Sequence, residues 1–387
     1  MKKYIAIVLC LLMVLSIVAC KKTETKTEEP KTETATTTEA KTEPATETKK
    51  VYNVVHLVNG NLGDKSFFDS AESGLKALEE AGRIKHKTIE MGGTDEDQPK
   101  WLETLYEVAG SGEYDLIVCG TYQMPDYLKE VATKYPDQKF AIYDDSTYVG
   151  ENKNVVNITY RQNDMGYLIG VFAASMTSQT SVANINDKKV VGFVGGVDSP
   201  VINDFLYGFL KGIQDTDPEV KVDTRYVNSY VDTATAKEMA LSMINDNGAD
   251  LIWGVAGLSG NGAAEAAAET GKAWFIGVDS DQELTLPADQ RAVCLTSGLK
   301  NVGNSLVWLI DELDAGREHW GTEVNLGLNE GGVGIVTDKN FAAIAPQAVQ
   351  DAVKAAQEAV ASGKITVPSA IGDTSKGAEA LRDSMMP

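Results

Sequence analysis

The sequence predicts an α/β protein made of two doubly wound lobes joined by a hinge. Two observations carry that reading. From residue 51 onward, short apolar, β-branched runs alternate with helix-length amphipathic segments, and the alternation comes as two successive series of about four units each. Such alternation makes parallel sheets covered by helices on both faces. The roughly 340 residues involved are enough for two ordinary domains.

The chain of 387 residues opens on a different pattern. Lys2 and Lys3 precede an apolar core of about 15 residues, too short to span a bilayer comfortably, and small residues then lead to Cys20. This is the pattern of a secretory signal peptide over residues 1–19. The run IVAC at 17–20 resembles a bacterial lipobox. That resemblance implies cleavage before Cys20 and a diacylglycerol anchor on its sulfur; a signal peptide with a chance cysteine is the alternative. After Cys20, the stretch to residue 50 holds no aromatic and no large aliphatic side chain. It cannot bury enough apolar surface to offset its ordering entropy, so it reads as a disordered tether. The expected location is the extracytoplasmic face of a cell membrane.

Strands are expected at 52–58, 116–119, 140–143 and 155–158 in the first series, and at 190–194, 222–227, 251–253 and 274–278 in the second. Helical periodicity covers 70–81, 101–111, 125–135, 167–177, 202–214, 234–247 and 261–270, then 302–315 and 346–362. The first lobe is expected to take 51–160 plus about 296–330, and the second 161–295 plus about 331–387. This puts one return of the chain near Thr296 and another just before 332–337.

In open α/β sheets, ligands bind outside the carboxyl ends of the strands. Glycines, aromatics and carboxylates collect there. Asn59 follows the first strand, with Asp64 or Ser66 placed to cap the next helix and Phe67 and Phe68 at its mouth. At most one of those two rings can turn to the core. Tyr122 and Gln123, Asp144 and Asp145, Tyr230, Gly257 and Asp279 follow other strands.

Composition narrows the function. A formal charge of −21 argues against nucleic acid or anionic lipid as electrostatic partners. Beyond Cys10 and Cys20 only Cys119 and Cys294 remain, so no disulfide framework is expected, though a single bridge stays open. The three histidines form no ligand-spaced cluster, so neither metal nor cofactor is expected. Ser259 sits in GLSGN, which lacks the second glycine of a nucleophile elbow, and no triad can be assembled. Nothing here indicates an enzyme.

Five segments resemble the basic membrane protein family: GDKSFFDSAESGL (63–75), FVGGVDSPVINDFLYGFLKG (193–212), ADLIWGVAGLSGNG (249–262), IGVDSDQ (276–282) and TSGLKNV (296–302). These are solute-binding lipoproteins of the purine-nucleoside-receptor type that serve ABC importers. The resemblance implies a type I periplasmic-binding-protein fold, acting as a monomer, with a nucleoside between the lobes and ABC permease subunits as partners. It implies Phe67 as one aromatic face against the base and Tyr230 as the other, with Asp279 and Lys300 on the ribose diol. Gly257 would let the backbone approach the ligand. Two positions depart from the family pattern: Phe68 stands where Asn is usual, and Asn59 where an aspartate is common. Gln123, Gln162 and Asp164 follow strand ends and either read base edges or serve as caps and surface residues. Ser66 and Tyr122 complete the candidate set, and Phe205 is expected in the core. Carboxylates in the cleft favour uncharged nucleosides over nucleotides. The alternative is a sugar or signal-molecule binding protein feeding a sensor.

Overall fold

The computed structural model describes residues 50–372 and 375–387. The signal peptide, the Cys20 lipid anchor and the tether lie outside the described residues. The first series forms β1 (Tyr52–Val58), α1 (Phe67–Glu80), β2 (Ile84–Glu90), α2 (Gln98–Ser111), β3 (Leu116–Gly120), α3 (Pro125–Lys134), β4 (Lys139–Tyr143) and β5 (Val155–Tyr160). The second forms α4 (Gln162–Thr177), β6 (Val190–Gly195), α5 (Pro200–Thr216), β7 (Lys221–Tyr226), α6 (Thr233–Ser242), β8 (Leu251–Val255), α7 (Gly260–Thr270), β9 (Trp274–Asp279), α8 (Gln282–Thr285), α9 (Ala288–Arg291) and β10 (Cys294–Lys300). The remainder is α10 (Val302–Asp314), β11 (Glu323–Leu326), β12 (Val333–Ile335), α11 (Lys339–Ile344), α12 (Gln347–Ala361) and α13 (Ser375–Met385).

The strands make two six-stranded sheets with the same winding, β11-β5-β4-β3-β1-β2 and β12-β10-β9-β8-β6-β7. Every pairing is parallel except β10 with β12. The central strands β3, β6, β8 and β9 are buried along their whole length. That is why they read as unbroken apolar runs, as parallel strands covered on both faces must.

The chain passes between the sheets after β5, after β10 and between β11 and β12. The return expected near Thr296 therefore falls later. Residues 294–300 form a strand of the second sheet, paired to β9, and the chain leaves only after Lys300. The helix expected at 234–247 ends its α-helical part at Ser242 and finishes in a π-helical turn, Met243–Asn247, closed by Gly248 in the left-handed conformation. Helix α1 begins at Phe67 instead of residue 70. The Asp64 carboxylate accepts from the N–H groups of Ser66 (3.0 Å), Phe68 (2.9 Å) and Asp69 (3.1 Å), satisfying donors that a helix start leaves open.

Candidate functional site

The carboxyl ends of the two sheets enclose a cleft of about 780 Å³, counting its open mouth. The first lobe supplies Asn59 after β1, Phe67 and Phe68 at the start of α1, Tyr122 and Gln123 after β3, and Asp144 after β4. The second supplies Phe205 from α5, Tyr230 after β7, Gly257 after β8, and Asp279 and Lys300 at the ends of β9 and β10.

Aromatic rings make the walls. Phe67 packs on Tyr143 with centroids 5.3 Å apart and meets Phe68 edge-on at 5.2 Å. Two glycines make room for rings: a Cβ on Gly60 would stand 2.4 Å from the Phe68 ring, and one on Gly196 would stand 2.3 Å from the Tyr230 ring. The hydroxyls of Tyr122 and Tyr230 meet across the cleft at 3.2 Å.

The charged groups are buried. Lys300 is 1% exposed, forms an ion pair with Asp144, and stands over the rings of Phe205 (4.9 Å), Tyr160 (5.3 Å) and Phe67 (5.4 Å). Asp279 Oδ2 accepts from the Ser66 hydroxyl at 2.7 Å. Asp144 and Asp279 both take the left-handed conformation, with φ of 69° and 64°. That backbone is costly for a side chain with a Cβ, and such strain gathers at ligand sites. Burial pushes Asp279 up to about 7, against the opposing pull of Lys300 and the Ser66 hydroxyl. Burial also raises Asp144, opposed by Lys300, and lifts Asp64 to about 6 despite its three backbone donors.

Two acceptors stand out. Asn59 donates its amide N–H to Thr121 Oγ1 (2.8 Å) and to Gln123 Oε1 (3.4 Å), which leaves its Oδ1 for something else. Among the described residues, Asn59 Oδ1 and Asp279 Oδ1 are buried with no hydrogen-bond partner. A buried acceptor left unpaired costs on the order of 1–3 kcal/mol, and a bound donor would recover it.

Of the residues singled out in the sequence, Asn59, Phe67, Phe68, Tyr122, Gln123, Tyr230, Gly257, Asp279 and Lys300 all line this cleft. Ser66 does not line it; it is buried, with its hydroxyl committed to Asp279. Gln162 and Asp164 are not brought to it either. They sit in the first turn of α4, where Asp164 pairs with Arg161 at 2.5 Å. A position after a strand does not make a ligand residue when, as after β5, the chain is passing between lobes. Phe205 is buried in the core as expected, and its ring also borders the cleft beneath Lys300. Asp144 went unassigned, although its place directly after a strand is the same signal that pointed to Asp279. Cys119 and Cys294 belong to different sheets and are both free and buried, and burial pushes each thiol up to about 12.

A family model described as ABC transporter substrate-binding protein, PnrA-like, matches residues 51–370. The chain is 31% identical over 330 residues to the ABC transporter nucleoside-binding protein BmpA of Lactococcus lactis, spanning 82% of this chain and 88% of that one. It is 31% identical over 284 residues to basic membrane protein A of Borreliella burgdorferi, spanning 72% and 78%. It is 32% identical over 287 residues to the CD4+ T-cell-stimulating antigen of Listeria monocytogenes, spanning 71% and 77%. Among solved structures, an ABC transporter solute-binding protein from Aeropyrum pernix superposes with a TM-score of 0.70 at 26% identity, over 87% of this chain and 100% of that one. LsrB from Clostridium saccharobutylicum shares the fold at a TM-score of 0.56 and 14% identity, over 75% of this chain and 99% of that one.

Proposed function

The chain belongs to the Bmp family of PnrA-like ABC transporter substrate-binding proteins, and from that premise we propose that it captures an uncharged nucleoside, a purine nucleoside foremost, and delivers it to an ABC permease. Cys20 carries the lipid that holds it on the extracytoplasmic face of the membrane. A nucleoside-binding relative supports the ligand class. The observation that carries the reading is the pairing of aromatic walls with two buried, unpartnered acceptors, Asn59 Oδ1 and Asp279 Oδ1.

The chemistry of each half of a nucleoside matches one part of the cleft. A base is a flat plate, and stacking it between Phe67 and Tyr230 contributes about 1–3 kcal/mol per ring. Asn59 Oδ1 accepts from a base N–H, and Gln123, whose Oε1 is occupied by Asn59, offers its own N–H to a base acceptor. The ribose diol donates to Asp279, assisted by Lys300. Phosphate is rejected: Asp64, Asp144 and Asp279 line the cleft against one cation, Lys300, already paired to Asp144. The lobes close over the ligand, and a ligand that prefers the closed state shifts the population toward it.

Calorimetry and thermal unfolding of the mature chain against nucleosides, nucleotides, free bases and sugars test this. Purine nucleosides should raise the melting temperature, since only the native state binds, and Phe67→Ala should weaken them about 10- to 100-fold. A response to sugars with silence across nucleosides would move the protein to the sugar or signal-molecule reading.

A further inference from the structure

We propose that Asn261 and Ser280 form an interlobe latch: positioning residues that hold the lobes closed and set how long the ligand stays, without touching it. The proposal takes the cleft's ligand to be a nucleoside, as above, but the latch itself is a property of the closed lobes.

The loop before α1 is folded tightly on itself. Gly63 and Lys65 both take left-handed backbone, with φ of 91° and 58°. The Asp69 carboxylate accepts from the N–H groups of Gly63 (2.8 Å) and Lys65 (2.9 Å), while the Asp64 carboxylate takes those of Ser66, Phe68 and Asp69. The loop's donors are thus spent inside the first lobe. The carbonyls of Asp64 and Lys65 turn to the second lobe. Asn261 Nδ2 donates to Asp64 O at 3.3 Å, and Ser280 Oγ donates to Lys65 O at 2.8 Å.

The second-lobe side is braced. Gln282 Nε2 donates to Asn261 Oδ1 (3.4 Å), Gln282 Oε1 accepts from Val278 N–H (3.0 Å), and the Gln282 N–H donates to Ser297 Oγ (3.1 Å). One bracket therefore spans α7, α8 and β10 and grips a loop whose next residue, Phe67, is an aromatic wall of the cleft. Neither Asn261 nor Ser280 lines the cavity. The Ser280–Lys65 bond involves no cleft residue and the Asn261–Asp64 bond uses only the Asp64 backbone carbonyl, whereas Ser66–Asp279 and Tyr122–Tyr230 are interlobe bonds in which at least one of the two side chains lines the cleft. A bond made only between closed lobes stabilises the closed state and must break before the ligand leaves, so its loss appears chiefly in the dissociation rate.

The test compares the mature chain with its Asn261→Ala/Ser280→Ala variant by small-angle X-ray scattering without added ligand, and by stopped-flow dissociation of inosine and adenosine. Expected are a larger radius of gyration and about tenfold faster dissociation at nearly unchanged association. Ser280→Thr, which keeps the hydroxyl, should restore most of the lost residence time. An unchanged radius of gyration overturns the latch, and so does unchanged dissociation, even if the melting temperature falls. If the parent chain binds neither nucleoside, the proposed function fails, and the scattering comparison still decides the latch.

Discussion

Two buried polar clusters meet at Tyr143 and are built to opposite rules. On one side, the single carboxylate of Glu72 accepts from Thr88 Oγ1 at 2.6 Å and lies 3.3 Å from both His86 Nε2 and Lys76 Nζ. His56, fully buried beside it, bonds the Tyr143 hydroxyl at 2.8 Å. These partners, the His56 ring foremost, hold Glu72 well below the usual carboxylate range. On the other side, the cleft sets Asp64, Asp144 and Asp279 against Lys300 alone, leaves two acceptors unpaired and raises all three carboxylates by burial. The first cluster surrounds its carboxylate with partners, leaving without a hydrogen bond only His56 Nδ1 and His86 Nδ1, each within 4 Å of a carboxylate, and it belongs to the fold. The second is complete only with something bound.

The largest effect should come from exchanging the two. Asp279→Ala removes the acceptor for the ribose hydroxyls, and nucleoside affinity should fall at least about 100-fold, since hydrogen bonds to a charged group are worth about 1.5–3 kcal/mol each. Stability without ligand should hold or improve, because that carboxylate is a buried liability. Glu72→Ala should do the reverse. It deprives His56, His86 and Thr88 of their shared carboxylate, at a cost of about 3 kcal/mol in chemical denaturation, while leaving nucleoside affinity within about twofold. Calorimetry that finds the two variants equally damaging to binding would erase the distinction.

Protonation should separate the same two clusters, with a smaller effect. Burial lifts Asp279 and Asp250 to about 7 and Asp64 and Asp204 to about 6, each from 3.8. A carboxyl raised in the folded state stabilises the fold while protonated. That stability is complete below its unfolded value and is lost as pH rises through the folded one. His56, lowered by burial, acts in the opposite sense, costing stability as pH falls through about 6.5. The four carboxylates should prevail, so the melting temperature without ligand should be higher near pH 5 than at pH 8. Nucleoside affinity should run the other way, weakening up to about tenfold from pH 8 to pH 6 as Asp279 takes up a proton and ceases to be a full acceptor. Asp279→Asn should flatten that profile. An affinity that instead improves toward pH 6 would remove ionised Asp279 from the binding step.

What the sequence disclosed follows the same division. Strands buried on both faces, such as β3, β6 and β8, announce themselves as unbroken apolar runs. The edge strand β2, IKHKTIE, fully buries only Ile84, with His86, Thr88 and Ile89 half-buried, and hides among polar residues. Strand β10, CLTSGLK, carries a Thr-Ser-Gly that looks like a crossing, and only its pairing with β9 and β12 makes it a strand. The start of α1 depends on a carboxylate reaching forward from Asp64, which periodicity does not record. In the site, residues in contrasting surroundings could be found: two phenylalanines at a helix mouth, a Gly-Val-Asp strand end. Asp144 carried the strand-end signal too, but its role shows only in the pairing with Lys300, which arrives from the other lobe. Gln162 and Asp164 carried the right position and the wrong surroundings.

The smallest effect tests the finest claim, that Gln123 reads the base. Its Oε1 lies 3.4 Å from the Asn59 amide, which keeps a shorter bond to Thr121 at 2.8 Å, so Gln123→Ala should leave Asn59 oriented. What is lost is one neutral hydrogen bond to the ligand, about 1 kcal/mol, or a weakening of several-fold. The loss should depend on the base. Nucleosides with an acceptor opposite Gln123 should weaken, and free ribose should not change at all. Calorimetry across inosine, adenosine, uridine and ribose separates the outcomes: an equal loss for every ligand, ribose included, would mean that Gln123 shapes the cleft and reads nothing. A loss confined to some bases would rank the amide pair Asn59–Gln123, not the carboxylates, as the source of base preference.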